Sequence, residues 1–456
     1  VGNSLTAGFQ SNALRRNKQV SSFPAIMAEQ LKKVGGGDFK QPLLADGVGI
    51  GSSLNAEFGI FLAADCKGEV GPSPQPIAAA GQVDQFQTSI GADGPYNNVG
   101  VPGAKSYHLV AAGYGNPTNV PLGLANPYYA RFADPTNFNE TMIEAAVRAN
   151  PTFFSLWIGN NDVLSYATTG GSGVDQTGNP DPSTYGGNDI TDPTLFAGLY
   201  TQMITALTTN GAKGVVATIP DVTSIPYFTT IPIGTDAITD VIAGQLNSSG
   251  AYGGYNAALD AAVQLQIITA EEAARRKVVF TAGQINTFVV IDPSLTDISL
   301  PDPSGVPVVV PKYRQIVPGE LLTLTTSGDS LACEGLGTAI AIQPYNHLTA
   351  DEVNSIATAT AAYNASIKSI AAANGIAVFD ANARMKELAT TGITDKGIDY
   401  SNSFIAGGAF SLDGVHPNTR GYAILANDFI DAINAAYGAN IPKTDVSSYP
   451  AEEIVQ

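Results

Sequence analysis

The chain predicts an α/β fold built on an open, mostly parallel sheet, because short apolar runs alternate along it with amphipathic stretches. Three runs read as central strands: Thr152-Phe153-Phe154-Ser155-Leu156-Trp157-Ile158, Gly214-Val215-Val216-Ala217-Thr218-Ile219 and Gly375-Ile376-Ala377-Val378-Phe379-Asp380. Their apolar residues are nearly continuous, as in a strand covered on both faces. Asn97-Asn98-Val99-Gly100-Val101 is a further candidate.

The helices between them carry start and stop signals. One begins with Asp192 as N-cap and Pro193 at the first position, and presents Leu195, Phe196, Leu199, Met203 and Leu207 on one face. A second opens with the capping box Thr349-Ala350-Asp351-Glu352, turns Val353, Ile356, Tyr363, Ile367 and Ile370 inward, and stops at Asn374-Gly375. A third runs from about Thr419 to Tyr437 with Tyr422, Leu425, Phe429 and Ile433 inward.

Residues 35–96, 165–191 and 225–345 exceed what strand-to-helix connections need. The first two are rich in Gly, Pro, Asp and Asn; the third mixes a short capped helix, Thr269 to Arg276, with Pro-punctuated extended segments. No repeat or clean linker interrupts the chain, so a single domain over residues 1–456 with three insertions is expected. Loops this long act as lids or binding walls.

Composition narrows the function. With 40 acidic and 22 basic residues the net charge is −18, which opposes the phosphate neutralisation that nucleic-acid binding requires. It also opposes binding to anionic membrane surfaces, and no segment has the apolar length to span a bilayer. The 48 glycines and 28 prolines indicate long structured loops rather than disorder, since 44% of the residues are hydrophobic. Cys66 and Cys333 read equally as two buried thiols or one long-range disulfide. Only His108, His347 and His416 could serve a histidine metal centre, so none is expected.

Four short stretches far apart in the chain supply what ester cleavage needs: Gly2-Asn3-Ser4-Leu5, Val101-Pro102-Gly103-Ala104, Gly159-Asn160-Asn161-Asp162 and Asp413-Gly414-Val415-His416-Pro417. Ser4 sits in a turn of small residues, His416 is the candidate base, and Asp413, three residues earlier, is placed to orient its ring. Charge developing on a carbonyl oxygen would be met by the N–H groups of Ser4 and Gly103 and the Asn161 amide, with Asp162 as structural support. Asn161 follows one predicted strand and Gly103 the candidate ending at Val101, and sites in open parallel sheets form at those carboxyl ends. Gly100 competes with Gly103 for the tight turn.

These blocks resemble the SGNH hydrolases, also called GDSL esterases/lipases, especially the large exported members of the Bacteroidetes type. The family's Ser, Gly, Asn and His fall on Ser4, Gly103, Asn161 and His416, with Asp413 in its Asp-x-x-His position. The resemblance implies a three-layer, flavodoxin-like fold with about five central strands, hydrolysis of carboxylic esters through an acyl-serine, no cofactor, and export. Two departures stand out: Gly-Asn-Ser-Leu replaces Gly-Asp-Ser-Leu, and only Val1 and Gly2 remain of the strand before the nucleophile, so that strand and any signal peptide are expected to be truncated.

Several plainer readings compete. A turn serine, a turn before a helix at Asp413 to Pro417, and a helix cap at Asn161-Asp162 are each ordinary features. His108 and His347 are expected as surface or boundary histidines. Gly47-Val48-Gly49-Ile50-Gly51 lacks the third glycine of a dinucleotide loop, which would fall at Ser52, and the acidic stretch Asp175 to Asp192 lacks regular calcium-ligand spacing. Ile225-Pro226-Tyr227-Phe228 and Pro127-Tyr128-Tyr129 are candidate pocket walls, which puts lipid or simple acyl esters ahead of acetylated carbohydrate. Acyl transfer from the same site, or an inactive binding module on the same fold, are the alternatives.

Overall fold

The computed structural model describes residues 1–456 apart from 48, 52–56, 78–85, 87, 302, 304 and 452–456. Strands β1 (Phe153–Leu156), β2 (Lys213–Ala217) and β3 (Ala377–Phe379) form a parallel sheet in the order β3-β2-β1. The register pairs Leu156 with Val216 and Val216 with Val378. All three strands lie where the apolar runs predicted them, shortened at their ends.

Beyond β1 the sheet continues as single parallel bridges, Gly2 with Trp157 and Gly2 with Gly100. The expected sheet of about five strands is therefore three regular strands and two bridged segments. Gly2 donates its N–H to the Val99 carbonyl and accepts the Val101 N–H, the Trp157 N–H donates to the Val1 carbonyl, and the Gly100 N–H turns to Asn98 Oδ1 at 2.9 Å. Both glycines are required by close approach: a Cβ on Gly2 would lie 2.3 Å from the Trp157 carbonyl oxygen, and one on Gly100 2.5 Å from the Ala7 nitrogen.

The helices that matter for the site are α1 (Ser4–Ala7), α2 (Phe23–Lys32), α3 (Asn161–Thr168), α4 (Pro193–Thr208), α5 (Ala350–Ala373), α6 (Ala381–Thr390) and α7 (Thr419–Tyr437). α2 and α7 pack together over the sheet, with Phe23 stacked on Phe429 at 4.7 Å and Trp157 and Phe379 set against the same ring. A second group joins α4 to α5 through Phe196 and Tyr363, whose rings are 4.3 Å apart. Asp192 caps α4 by accepting from the Leu195 N–H, and Thr349 and Glu352 close both halves of the capping box on α5. The start signals were thus literal instructions.

The insertions hold more structure than their sequences suggest. Residues 225–345 contain helices Asp240–Leu246 and Tyr252–Gln264 besides the expected Ala270–Arg276, and enclose their own apolar cluster around Leu259, Val278 and Val289. Tyr252-Gly253-Gly254 is a poor helix opening, and the helix forms because Tyr252, Tyr255, Leu259 and Ala262 make one buried stripe. Residues 35–96 include an antiparallel hairpin, Phe58–Ala64 with Val70–Pro76. In residues 165–191, Asp189 collects the Val174 and Gly186 N–H groups and the Gln176 amide. That acidic loop uses its carboxylates to fold itself.

Cys66, in the turn of the hairpin, is bonded to Cys333, 267 residues away in the largest insertion. Both are exposed, so the reading as buried thiols is corrected. Closing so long a loop restricts the unfolded chain, and Cys66→Ser is expected to lower stability by about 2–4 kcal/mol. Thermal unfolding with and without reductant measures this; equal midpoints for the oxidised, reduced and substituted proteins would count against the bridge.

Candidate active site

Asn3 caps the one-turn helix α1 by accepting the Leu5 N–H at 3.0 Å, and Gly8, at φ +85°, ends it by returning its N–H to the Ser4 carbonyl. The turn is anchored at its base, where the Asn3 amide reaches Asn160 Oδ1 at 3.4 Å. Ser4 is thereby held at the edge of a cleft, and its Oγ lies 2.8 Å from His416 Nε2.

The other ring nitrogen, Nδ1, lies 2.9 Å from Asp413 Oδ2. Asp413 is a carboxylate surrounded by donors: the Asn12 N–H reaches Oδ2 at 3.0 Å, while Oδ1 accepts from the Val415 and His416 N–H groups and the Ser411 hydroxyl. Burial disfavours its charge, but the His416 ring and these donors outweigh burial and pull its pKa down to about 2. An ionised carboxylate only accepts, so the His416 proton sits on Nδ1 and Nε2 of the neutral ring is free to accept from Ser4. Phe9 packs on the same ring with centroids 4.8 Å apart.

Sequence reasoning missed Ser11, Asn12 and Ser411. Ser11 and Asn12 lie in left-handed conformations, φ 50° and 65°, at a cost on the order of 1 kcal/mol each, and the bend aims the Asn12 N–H at Asp413 and the Ser11 N–H at the Ser411 hydroxyl. Ser-Asn is a turn signal, yet nothing local says that the turn meets a loop 400 residues away. From the other side, Tyr227 of the largest insertion donates its N–H to the Gly414 carbonyl, and its own carbonyl accepts from Leu324.

The expected oxyanion donors are placed unequally. Asn161, the first residue of α3, lines the cleft with Ser4 and His416, and its amide donates to the Ala104 carbonyl at 2.8 Å. Gly103, at φ +80°, is exposed and does not line the cleft; the bond from Asn161 reaches its neighbour Ala104. Among the described residues, neither the Ser4 nor the Gly103 backbone N–H has an acceptor within the protein. The Gly100 N–H is taken by Asn98 Oδ1 at 2.9 Å.

Asp162 does not cap its own helix. Fully buried, it accepts from the Ser106 N–H at 2.9 Å and from the Ser106 hydroxyl at 2.5 Å, clamping the loop after Gly103 to the helix that carries Asn161. Burial raises its pKa, opposed by the Ser106 hydroxyl and the nearby Lys105 charge. His108 braces the same loop: Nδ1 accepts the Lys105 N–H, the ring stacks on Tyr114 at 4.3 Å, and burial followed by the Lys105 charge lowers its pKa to about 3.

Other expectations need correction. His347 is buried rather than at the surface or a boundary, bonded at 3.1 Å to Glu320 of the largest insertion. Tyr128 and Tyr129 are buried, bonded to the Ile50 and Glu140 carbonyls, and form no wall of the cleft. Ile225 does line it. The glycine run at 47–51 and Ser52 fall partly outside the described residues. Among the described residues no three His, Cys, Asp or Glu side chains cluster in a way that could hold a metal ion.

No family model matches the chain, and none of the curated proteins matches it.

The lowered pKa of Asp413 has a testable sign. A carboxyl whose folded pKa lies below its unfolded value adds stability that is complete above about pH 5 and is lost as pH falls toward 2. Asp413→Asn should therefore be less stable than the parent near neutrality by on the order of 2 kcal/mol, the gap shrinking as pH drops through 4 to 2. Urea denaturation of both proteins across that range reads the gap; a pH-independent difference would contradict it.

Proposed function

We propose that the protein is a serine carboxylic-ester hydrolase of the SGNH type. The observation that carries this reading is the continuous chain Ser4 Oγ, His416 Nε2, His416 Nδ1, Asp413 Oδ2, with distances of 2.8 and 2.9 Å. Ser4 attacks the ester carbonyl while His416 takes its proton. Charge on the carbonyl oxygen is met by the Asn161 amide and the Ser4 N–H group. His416 then returns the proton to the leaving alcohol, and a water activated by the same ring releases the acid from Ser4.

The strand arrangement supports the family reading. Taken in space, the segments at Gly100, Gly2, β1, β2 and β3 follow one another in parallel, which is the flavodoxin-like order with the first strand second from the edge. On this reading the chain is one three-layer domain carrying three insertions. A disulfide between exposed cysteines fits export to the periplasm, cell surface or medium. Among the described residues no helix is long and apolar enough to cross a membrane.

The reading is tested with nitrophenyl esters. Ser4→Ala should abolish hydrolysis, and Asn161→Ala should lower kcat by roughly a hundred- to a thousandfold. Hydrolysis by Ser4→Ala at the parent rate would remove the nucleophile assignment.

A further inference from the structure

The cleft that opens at Ser4 and His416 extends far beyond what proton transfer requires. It has a volume of about 110 Å³, and its walls are mostly apolar. Two helices that leave the site side by side form those walls. α6 follows β3 directly and contributes Ala381, Met385 and Leu388; α7 follows the His416 loop and contributes Gly421, Ile424 and Leu425. On each helix these positions recur every three or four residues, which makes one continuous stripe. Trp157 and Phe379, from the ends of β1 and β3, complete the floor.

Polar residues line the cleft as well. Ser4, His416, Asn160 and Asn161 are among them, and between the two helices Arg384 Nε of α6 meets Asp428 Oδ2 of α7 at 3.0 Å. Gly421 and Asp428 are seven residues apart, roughly 10 Å along the helix. Burial pushes the Asp428 carboxyl up to about 6 despite Arg384, in keeping with an enclosed, weakly solvated groove.

Building on the ester-hydrolase reading, we propose that the groove between α6 and α7 is the acyl subsite, that it takes a straight fatty acyl chain of medium length, and that the Arg384–Asp428 pair ends it. An acetyl group would leave this apolar surface unused, whereas each methylene laid along it contributes about a fourfold gain in kcat/KM. A chain reaching the pair would have to strip a bonded charge of its partner, so the gain stops there.

Two measurements test the groove separately from the chemistry. The first is kcat/KM for acetyl, butyryl, octanoyl and palmitoyl nitrophenyl esters, with the octanoyl ester expected to be preferred. Leu388→Trp, which adds bulk to the α6 wall, should lower the octanoyl-to-acetyl ratio by about tenfold or more. If that variant does not fold, Leu425→Phe, at a half-buried position, should lower the ratio in the same direction. The second is binding of octanoate to Ser4→Ala, followed by calorimetry; binding should be lost in Ser4→Ala/Leu388→Trp. Hydrolysis with no chain-length preference and no octanoate binding would overturn the groove and leave the ester-hydrolase reading standing. Octanoate binding blocked by the tryptophan, in a protein that cleaves no ester, would uphold the groove and overturn that reading.

Discussion

The carboxylate of Asp413 is the point on which the site depends. Its two oxygens receive the Asn12, Val415 and His416 N–H groups, the Ser411 hydroxyl and the His416 ring, so one side chain joins the start of the chain to its end. Those donors keep the group ionised, and an ionised acceptor on Nδ1 decides which nitrogen of His416 faces Ser4. Without them, a buried carboxylate would take up a proton and the ring would lose its orientation. Asp413 also explains the two left-handed residues, Ser11 and Asn12, whose strain is offset by the bonds they deliver.

A second buried carboxylate organises the opposite wall. Asp162 holds the Ser106 loop against α3, and the Asn161 amide holds the Ala104 carbonyl, so the two expected oxyanion segments are bonded to each other before any substrate arrives. One of the Asn161 amide hydrogens is thus committed to the scaffold, leaving the other for substrate. His108 belongs to this same brace, neutral and stacked on Tyr114. Groups fixed in this way have little reorganisation left to undergo when charge develops.

Much of this was legible because it is local. The caps at Asp192 and Thr349, the stop at Gly375 and the near-continuous apolar runs of the three strands act within a few residues of where they are written. Ser4, His416 and Asp413 could be named because nucleophile, base and orienting acid need those residue types, and Asp413 and His416 share one loop. Helix Tyr252–Gln264 was hidden because its opening glycines argue against it and only the packing of the insertion reverses them. Asp162 was legible as support but not in its task, since its partner lies 56 residues earlier.

By itself, then, the sequence determined the α/β alternation, the positions of the main helices and the residue types that meet at Ser4, His416 and Asp413, since periodicity, caps and side-chain chemistry are properties of short segments. Only the tertiary structure decided which Asp oxygen meets which donor, that Cys66 reaches Cys333, that Gly103 stands at the surface while Asn161 faces the cleft, and that α6 and α7 diverge enough to leave a groove between them. Each of these is a relation between segments tens to hundreds of residues apart, set by how whole elements pack, and packing depends on shapes that no local window contains.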